Sequence, residues 1–266
     1  MSRALLFLLL TCLAPAGALA QGAASVFLDE LTWTEVRDAT RAGKTTIIIP
    51  IGGTEQNGPH MVLGKHNARV KLLAGRVAAT LGNALVAPVL AYVPEGPSSP
   101  PVGHMRFPGT ITIPDSVLEE ILESTARGFR LHGFKDVVFI GDHGGYQKTM
   151  GKATASLNRE WAKTSVRAHA IEDYYAAAEK DFPQYLKGKG FGAEEIGTHA
   201  GLADTSLALA VDPALVRSEM LKAPPKGKAD GVYGDPTRAS AELGRAGLDL
   251  IVERTVAAIR KATARR

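Results

Sequence analysis

The chain has 266 residues, is 45% hydrophobic and 22% charged, and carries a formal net charge of +4. That length suits one α/β unit with a core of its own, needing no disulfide staples. The basic residues are scattered with no recognisable module, which excludes a nucleic-acid-binding protein, and the single cysteine, Cys12, excludes a disulfide framework and a cysteine-based zinc site.

The first twenty residues read as a leader: Arg3 is the basic start, Ala4–Leu13 the apolar run, and Ala18-Leu19-Ala20 an A-x-A cleavage site. Cleavage after Ala20 leaves residues 21–266 as one domain, exported to the periplasm or secreted, with no membrane anchor and no cysteine. No other stretch is long and apolar enough to span a bilayer.

Ser25–Gly43 has helical spacing, with Ser25 or Thr34 as a cap. Thr45–Ile51 is an apolar β-branched run, the pattern of a buried parallel strand. It breaks at Gly52-Gly53 and is followed by Glu55, Asn57, His60 and His66. Asn67–Leu81 reads as a helix and Ala84–Leu90 as a second strand. Tyr92–Phe107 is a long Pro/Gly/Ser loop carrying His104, and loops of this length in a compact domain tend to be functional. A short strand over Ile111–Ile113 and a helix from Asp115 to about His132 follow.

Asp136–Ile140 is another buried strand, ending in the glycine-rich turn Gly141-Asp142-His143-Gly144-Gly145. A helix over Gln147–Ala162 and a strand over Ser165–Ile171 come next. Ala176–Glu195 is polar and irregular, the pattern of a surface excursion. Thr198–Val211 reads as a helix holding His199 and Asp204 near its start, Val216–Ala241 as extended chain, and Leu243–Ala264 as a last helix. Strands alternating with helices imply an α/β fold, a sandwich with a mostly parallel sheet. Three strand-following turns each bring histidine and carboxylate to the end of the sheet where α/β proteins bind ligands. That grouping points to a metal or acid/base site.

Five segments resemble the creatininase (creatinine amidohydrolase) family. They are Gly53-Thr54-Glu55-Gln56-Asn57-Gly58-Pro59-His60, Leu63-Gly64-Lys65-His66, His104-Met105-Arg106-Phe107-Pro108-Gly109-Thr110, Gly141-Asp142-His143-Gly144-Gly145-Tyr146 and His199-Ala200-Gly201-Leu202-Ala203-Asp204-Thr205-Ser206. Gly231-Val232-Tyr233-Gly234-Asp235-Pro236 is a sixth. The resemblance implies a three-layer α/β/α sandwich, a homo-oligomer, and zinc- or manganese-dependent hydrolysis of a carbon–nitrogen bond in a small amide or cyclic amide. Carried over by position, it implies Glu55, His66, His143 and Asp204 as metal ligands and His199 as the proton-transfer group. It implies His104, Asn57, His60 and Asp142 as residues facing the substrate.

Two positions depart from the family pattern. Asn57 stands where a metal-binding histidine is expected, and His66 where an aspartate bridges two metals. A neutral imidazole cannot bridge two cations as a carboxylate does. The sequence therefore implies an altered site with one metal, and two only if other groups bridge. A second reading stays open, a catalytically inactive exported protein that keeps the fold for binding or scaffolding.

Overall fold

A computed structural model describes residues 25–222 and 227–264. The leader expected over 1–20, with Cys12, lies outside the described residues. Four strands form one parallel sheet in the order β2-β1-β3-β4: Thr46–Ile51 (β1), Ala84–Val86 (β2), Asp136–Gly141 (β3) and Arg167–Ala170 (β4). Every residue of β1 and β3 is buried, because helices cover both faces.

Alternation along the strands divides the core into two layers. Ile47, Ile49, Ile51, Val137 and Phe139 face one layer, closed by Trp33–Arg41 (α1), Asp115–Leu131 (α3) and Gln147–Glu160 (α4). Ile48, Val138 and Ile140 face the other. That side is closed by Lys65–Leu81 (α2), Leu202–Val211 (α8) and Ala241–Thr263 (α9), together with the short helices Asp173–Ala176 (α5), Phe182–Gly188 (α6) and Ala193–Ile196 (α7). The fold is the three-layer α/β/α sandwich expected from the sequence. Among the described residues no helix is long and apolar enough to cross a membrane.

Several elements differ from their sequence patterns. The cap of α1 is Thr32, in a capping box with Glu35. The expected strand Ala84–Leu90 stops at Val86, because after the Ala87 N–H bond to Ile48 O at 2.8 Å the next rung needs an N–H that Pro50 lacks. Pairing resumes only where Leu90 N–H donates to Pro50 O at 3.0 Å. Ile111–Ile113 forms single hydrogen bonds to Thr54 and Val93 rather than a strand.

The polar stretch Ala176–Glu195 is not an excursion. It is largely helical, and Ala177, Phe182 and Leu186 are buried in the core. Their wide spacing among charged residues hid the helical period. The helix expected from Thr198 begins at Leu202, because Thr198 and His199 bridge to Tyr233 and Ala200 takes a left-handed φ of 54°.

Candidate active site

The carboxyl ends of β1 and β3 are fastened by one side chain. Tyr146 Oη shares its one proton between Ile51 O and Gly52 O, at 2.7 and 2.6 Å, and accepts from the Asp142 and His143 N–H groups at 3.0 and 3.1 Å. The loop after β1 is tied to α2 by Asn67, whose Oδ1 accepts from Gly53 N–H at 3.0 Å. A Cβ at Gly52 would lie 2.1 Å from that oxygen, so only glycine fits the crossing. These ties place Glu55 opposite His143 beneath a cavity of about 280 Å³, lined among others by Gln56, His104, His143, His199, Asp204 and Tyr233.

Below the cavity lies a buried charge network. His66 Nε2 bonds Glu55 Oε1 at 2.8 Å, and His66 Nδ1 bonds Asp142 Oδ2 at 2.7 Å. Burial and the Lys65 ammonium work against the charged ring, but the two carboxylates outweigh them and raise its pKa. His66 is therefore an imidazolium donating from both nitrogens. Arg69 Nε donates to both Asp142 oxygens at 2.9 and 3.0 Å, and Arg69 Nη1 to Asp204 Oδ1 at 3.1 Å. Lys65 Nζ donates to Asp204 Oδ2, which also receives the Ala200 N–H at 3.0 Å. Tyr174 Oη donates to Asp142 at 2.6 Å. Burial acts to raise the Asp204 pKa, but Lys65 and Arg69 hold it well below the usual carboxylate range. Three carboxylates, Glu55, Asp142 and Asp204, thus face three cations, Lys65, His66 and Arg69.

A second group of donors is left over. Glu55 Oε2 is buried and has no hydrogen-bond partner among the described residues. It stands 3.4 Å from His104 Nδ1 and 3.5 Å from His143 Nε2. Gln56 fixes the neighbouring tautomers. Its Oε1 accepts from Gly58 N–H at 2.9 Å, so Nε2 points at His104 Nδ1 (2.9 Å) and Gly231 O (3.1 Å). His199 Nε2 lies 3.0 Å from the Gln56 main-chain carbonyl, which can only accept, and 3.1 Å from Gln56 Nε2; with the proton on Nε2, His199 Nδ1 faces Glu55 Oε1 at 3.7 Å. Burial, then the Lys65 charge, push His199 down to about 3, and burial pushes His143 down to about 4. Both rings are neutral. Glu55, His104 and His143 each offer a ligand atom within 4.8 Å of the others, a group that could hold a metal ion. Glu55 Oε2 is thus left without a donor, and a cation bound there would draw the His104 Nδ1 lone pair away from Gln56 Nε2.

The ligand set implied by the resemblance is not brought together as four free donors. Glu55 and His143 meet, joined by His104 instead of His66 and Asp204. His66 has no lone pair to spare, and both Asp204 oxygens are engaged by side-chain cations. Of the residues expected to face substrate, His104 lines the cavity. Asp142 also borders it, with its oxygens held by His66, Arg69 and Tyr174. Asn57 does not: it is fully buried, and its Nδ2 ties Glu55 O to Val62 O at 2.9 and 3.1 Å. His60 is buried against Thr205 Oγ1 at 3.0 Å. Sequence reasoning missed Lys65, Arg69, Tyr146 and Glu95. A signal for the first two existed: α2 opens on Lys65, His66 and Arg69, where the helix dipole disfavours cations, so carboxylates must hold them.

Comparison with known proteins places this architecture. The family model described as creatinine amidohydrolase matches residues 29–259. The chain belongs to the creatininase family. Creatinine amidohydrolase of Pseudomonas putida is 28% identical over 260 residues, covering 89% of this chain and 97% of that protein. Mycofactocin precursor peptide peptidase of Mycolicibacterium smegmatis is 28% identical over 220 residues, covering 74% and 77%. 3-Dehydro-scyllo-inosose hydrolase of Thermotoga maritima is 25% identical over 205 residues, covering 73% of this chain and 58% of that one. Among solved structures, a creatinine amidohydrolase superposes with a TM-score of 0.76 at 26% identity, covering 91% of this chain and 99% of that one. A manganese form of creatininase superposes at 0.74 with 27% identity, covering 90% and 98%.

Proposed function

We propose that this creatininase-family protein is a metal-dependent amidohydrolase that cleaves a carbon–nitrogen bond of a small molecule and holds one cation at Glu55, His104 and His143. The observation that carries the reading is Glu55 Oε2, a buried carboxylate oxygen without a donor, facing two imidazole nitrogens at the floor of a polar cavity. The mixed nitrogen and oxygen donors suit zinc or manganese. Creatininase structures in manganese and zinc–zinc forms are among the similar folds.

A bound cation there supplies Lewis acidity and a water of lowered pKa. His199 moves protons: its Nε2–H is anchored on the Gln56 carbonyl, and Nδ1 is left to take a proton and pass it to the leaving nitrogen. A ring pushed down to about 3 gives up an acquired proton readily. One cation is favoured over two because Lys65 and Arg69 already neutralise Asp204, His66 uses both nitrogens, and the Asn57 amide is turned into the loop. The named substrates of the relatives, creatinine, a precursor peptide and an inosose, share no scaffold, so a panel is the right probe.

Elemental analysis of the purified mature protein is expected to give about one zinc or manganese per chain. Hydrolysis across a panel of linear and cyclic amides is expected to stop on chelation and return with metal, and His143→Ala is expected to lose both metal and turnover. Undiminished hydrolysis by metal-free protein would overturn the reading. We also infer export, from the leader sequence; N-terminal sequencing of secreted protein is expected to begin at Gln21.

A further inference from the structure

Glu95 sits in the long loop after β2, close to Gly53. Its side chain is wholly buried, and neither carboxyl oxygen has a hydrogen-bond partner among the described residues. It faces His143, with Oε2 3.7 Å from the same Nε2 that faces Glu55 Oε2. A buried carboxyl group with neither oxygen hydrogen-bonded is unfavourable, and the three cations of the neighbouring network are already matched by three other acids. The placement is built rather than incidental. Glu95 N–H donates to Thr112 Oγ1 at 3.0 Å, Thr112 Oγ1 donates to Gly96 O at 3.1 Å, and Ile113 N–H donates to Val93 O at 3.2 Å. These bonds pin the loop on both sides of the residue. A Cβ at Gly53 would lie 2.8 Å from Glu95 Oε1, so the glycine keeps the approach clear.

We infer that Glu95 is a fourth ligand of the Glu55–His104–His143 cation site. The inference rests on the metal-dependent reading above and adds to it. Two ligands then come from the sheet ends and two, Glu95 and His104, from the loop that walls the cavity. The cation fastens that loop to the scaffold, so metal loading and cavity shape are coupled. His143 takes part by moving its proton to Nδ1, at the expense of the 3.2 Å bond from Gly145 N–H.

The test is a zinc and cobalt titration of metal-free full-length protein, with Glu95→Gln and Glu95→Asp beside the wild type. Glutamine keeps the volume and places a neutral amide where the carboxyl group stands, so a purely structural role leaves zinc affinity unchanged. A ligand role weakens it by about 100-fold or more, since even residues that only orient ligands change affinity 10- to 100-fold. Near-ultraviolet circular dichroism reports whether the fold survives. If Glu95→Gln does not fold, Glu95→Asp carries the test, because moving a ligand oxygen by one methylene changes the visible absorption of bound cobalt. An unchanged affinity in Glu95→Gln, or an unchanged cobalt spectrum in Glu95→Asp, overturns the assignment while leaving the three-residue site standing. A wild type that binds neither metal removes the broader reading instead.

Discussion

Tyr146→Phe isolates the joint that sets Glu55 against His143. The ring is fully buried and phenylalanine fills the same space, so the substitution removes one oxygen and leaves no cavity larger than that. Four backbone groups lose a partner, but the loss is unequal. Asp142 N–H still donates to Ile51 O at 3.0 Å, so those two remain paired. His143 N–H and Gly52 O are left without a protein partner. Each orphaned buried group costs about 1–3 kcal/mol, so the expected destabilisation for the two is about 2–6 kcal/mol, or roughly 5–20 °C in Tm for a domain of this size. Urea unfolding followed by tryptophan fluorescence measures it, with Trp161 buried as the reporter. The same variant should bind zinc more weakly, because His143 is no longer held at the end of β3. A loss under about 1 kcal/mol with wild-type zinc affinity would refute the claim that this hydroxyl positions the site.

Phe182→Ala tests whether the polar-looking stretch before α8 is core. It should cost about 3–5 kcal/mol in urea unfolding, and a near-neutral result would return the segment to the surface. Asp204→Asn leaves Lys65 without its counter-charge while Arg69 keeps Asp142, so a loss of about 3–5 kcal/mol is expected, with the metal content per chain unchanged by elemental analysis. The pH dependence of the metal-free protein has a definite sign at Glu95. Burial, then the Glu55 charge, push its pKa from 4.5 up to about 9. Between those values the folded chain holds one proton more than the unfolded chain, so this group makes stability fall as pH rises, by about 1.4 kcal/mol per pH unit. The difference in stability between wild type and Glu95→Gln, measured at steps across that range, should therefore slope; a flat difference would mean that Glu95 ionises normally.

The sheet was legible because its strands are buried on both sides and read as unbroken β-branched runs, as in Thr45–Ile51. The family motifs named Glu55, His104, His143 and His199, and the fold gathers these four at one cavity and its floor. What they did not convey was which atoms are free. His66 occupies a ligand position in the pattern, yet its two hydrogen bonds to carboxylates depend on Asp142, which is 76 residues away in sequence. Glu95 lies in a loop whose composition suggests only irregularity, and nothing in its neighbours signals that the side chain turns inward. Ala176–Glu195 was misread for a related reason: burial there depends on α9 packing over it, and helical spacing is masked by lysines and glutamates on the outer face.

The fate of Asp204 decides how far this site departs from a two-metal arrangement. Asn57 and His66 are the conspicuous departures, and reverting them with Asn57→His and His66→Asp is the obvious way to seek a second cation. The structure argues that this pair is not enough. Lys65 is 2% exposed and its ammonium already sits on Asp204, with Arg69 on the other oxygen. A second dication there would have to displace a buried ammonium and be held close to a guanidinium, a repulsion that grows as the local dielectric falls. The double variant is therefore expected to keep one metal per chain. Adding Lys65→Thr removes the competing cation and is expected to admit a second. Elemental analysis of the two variants separates the cases. Two metals in Asn57→His/His66→Asp would show that Lys65 yields to a cation, and that the ion pair with Asp204 is a consequence of the missing ligands and not a substitute for the second metal.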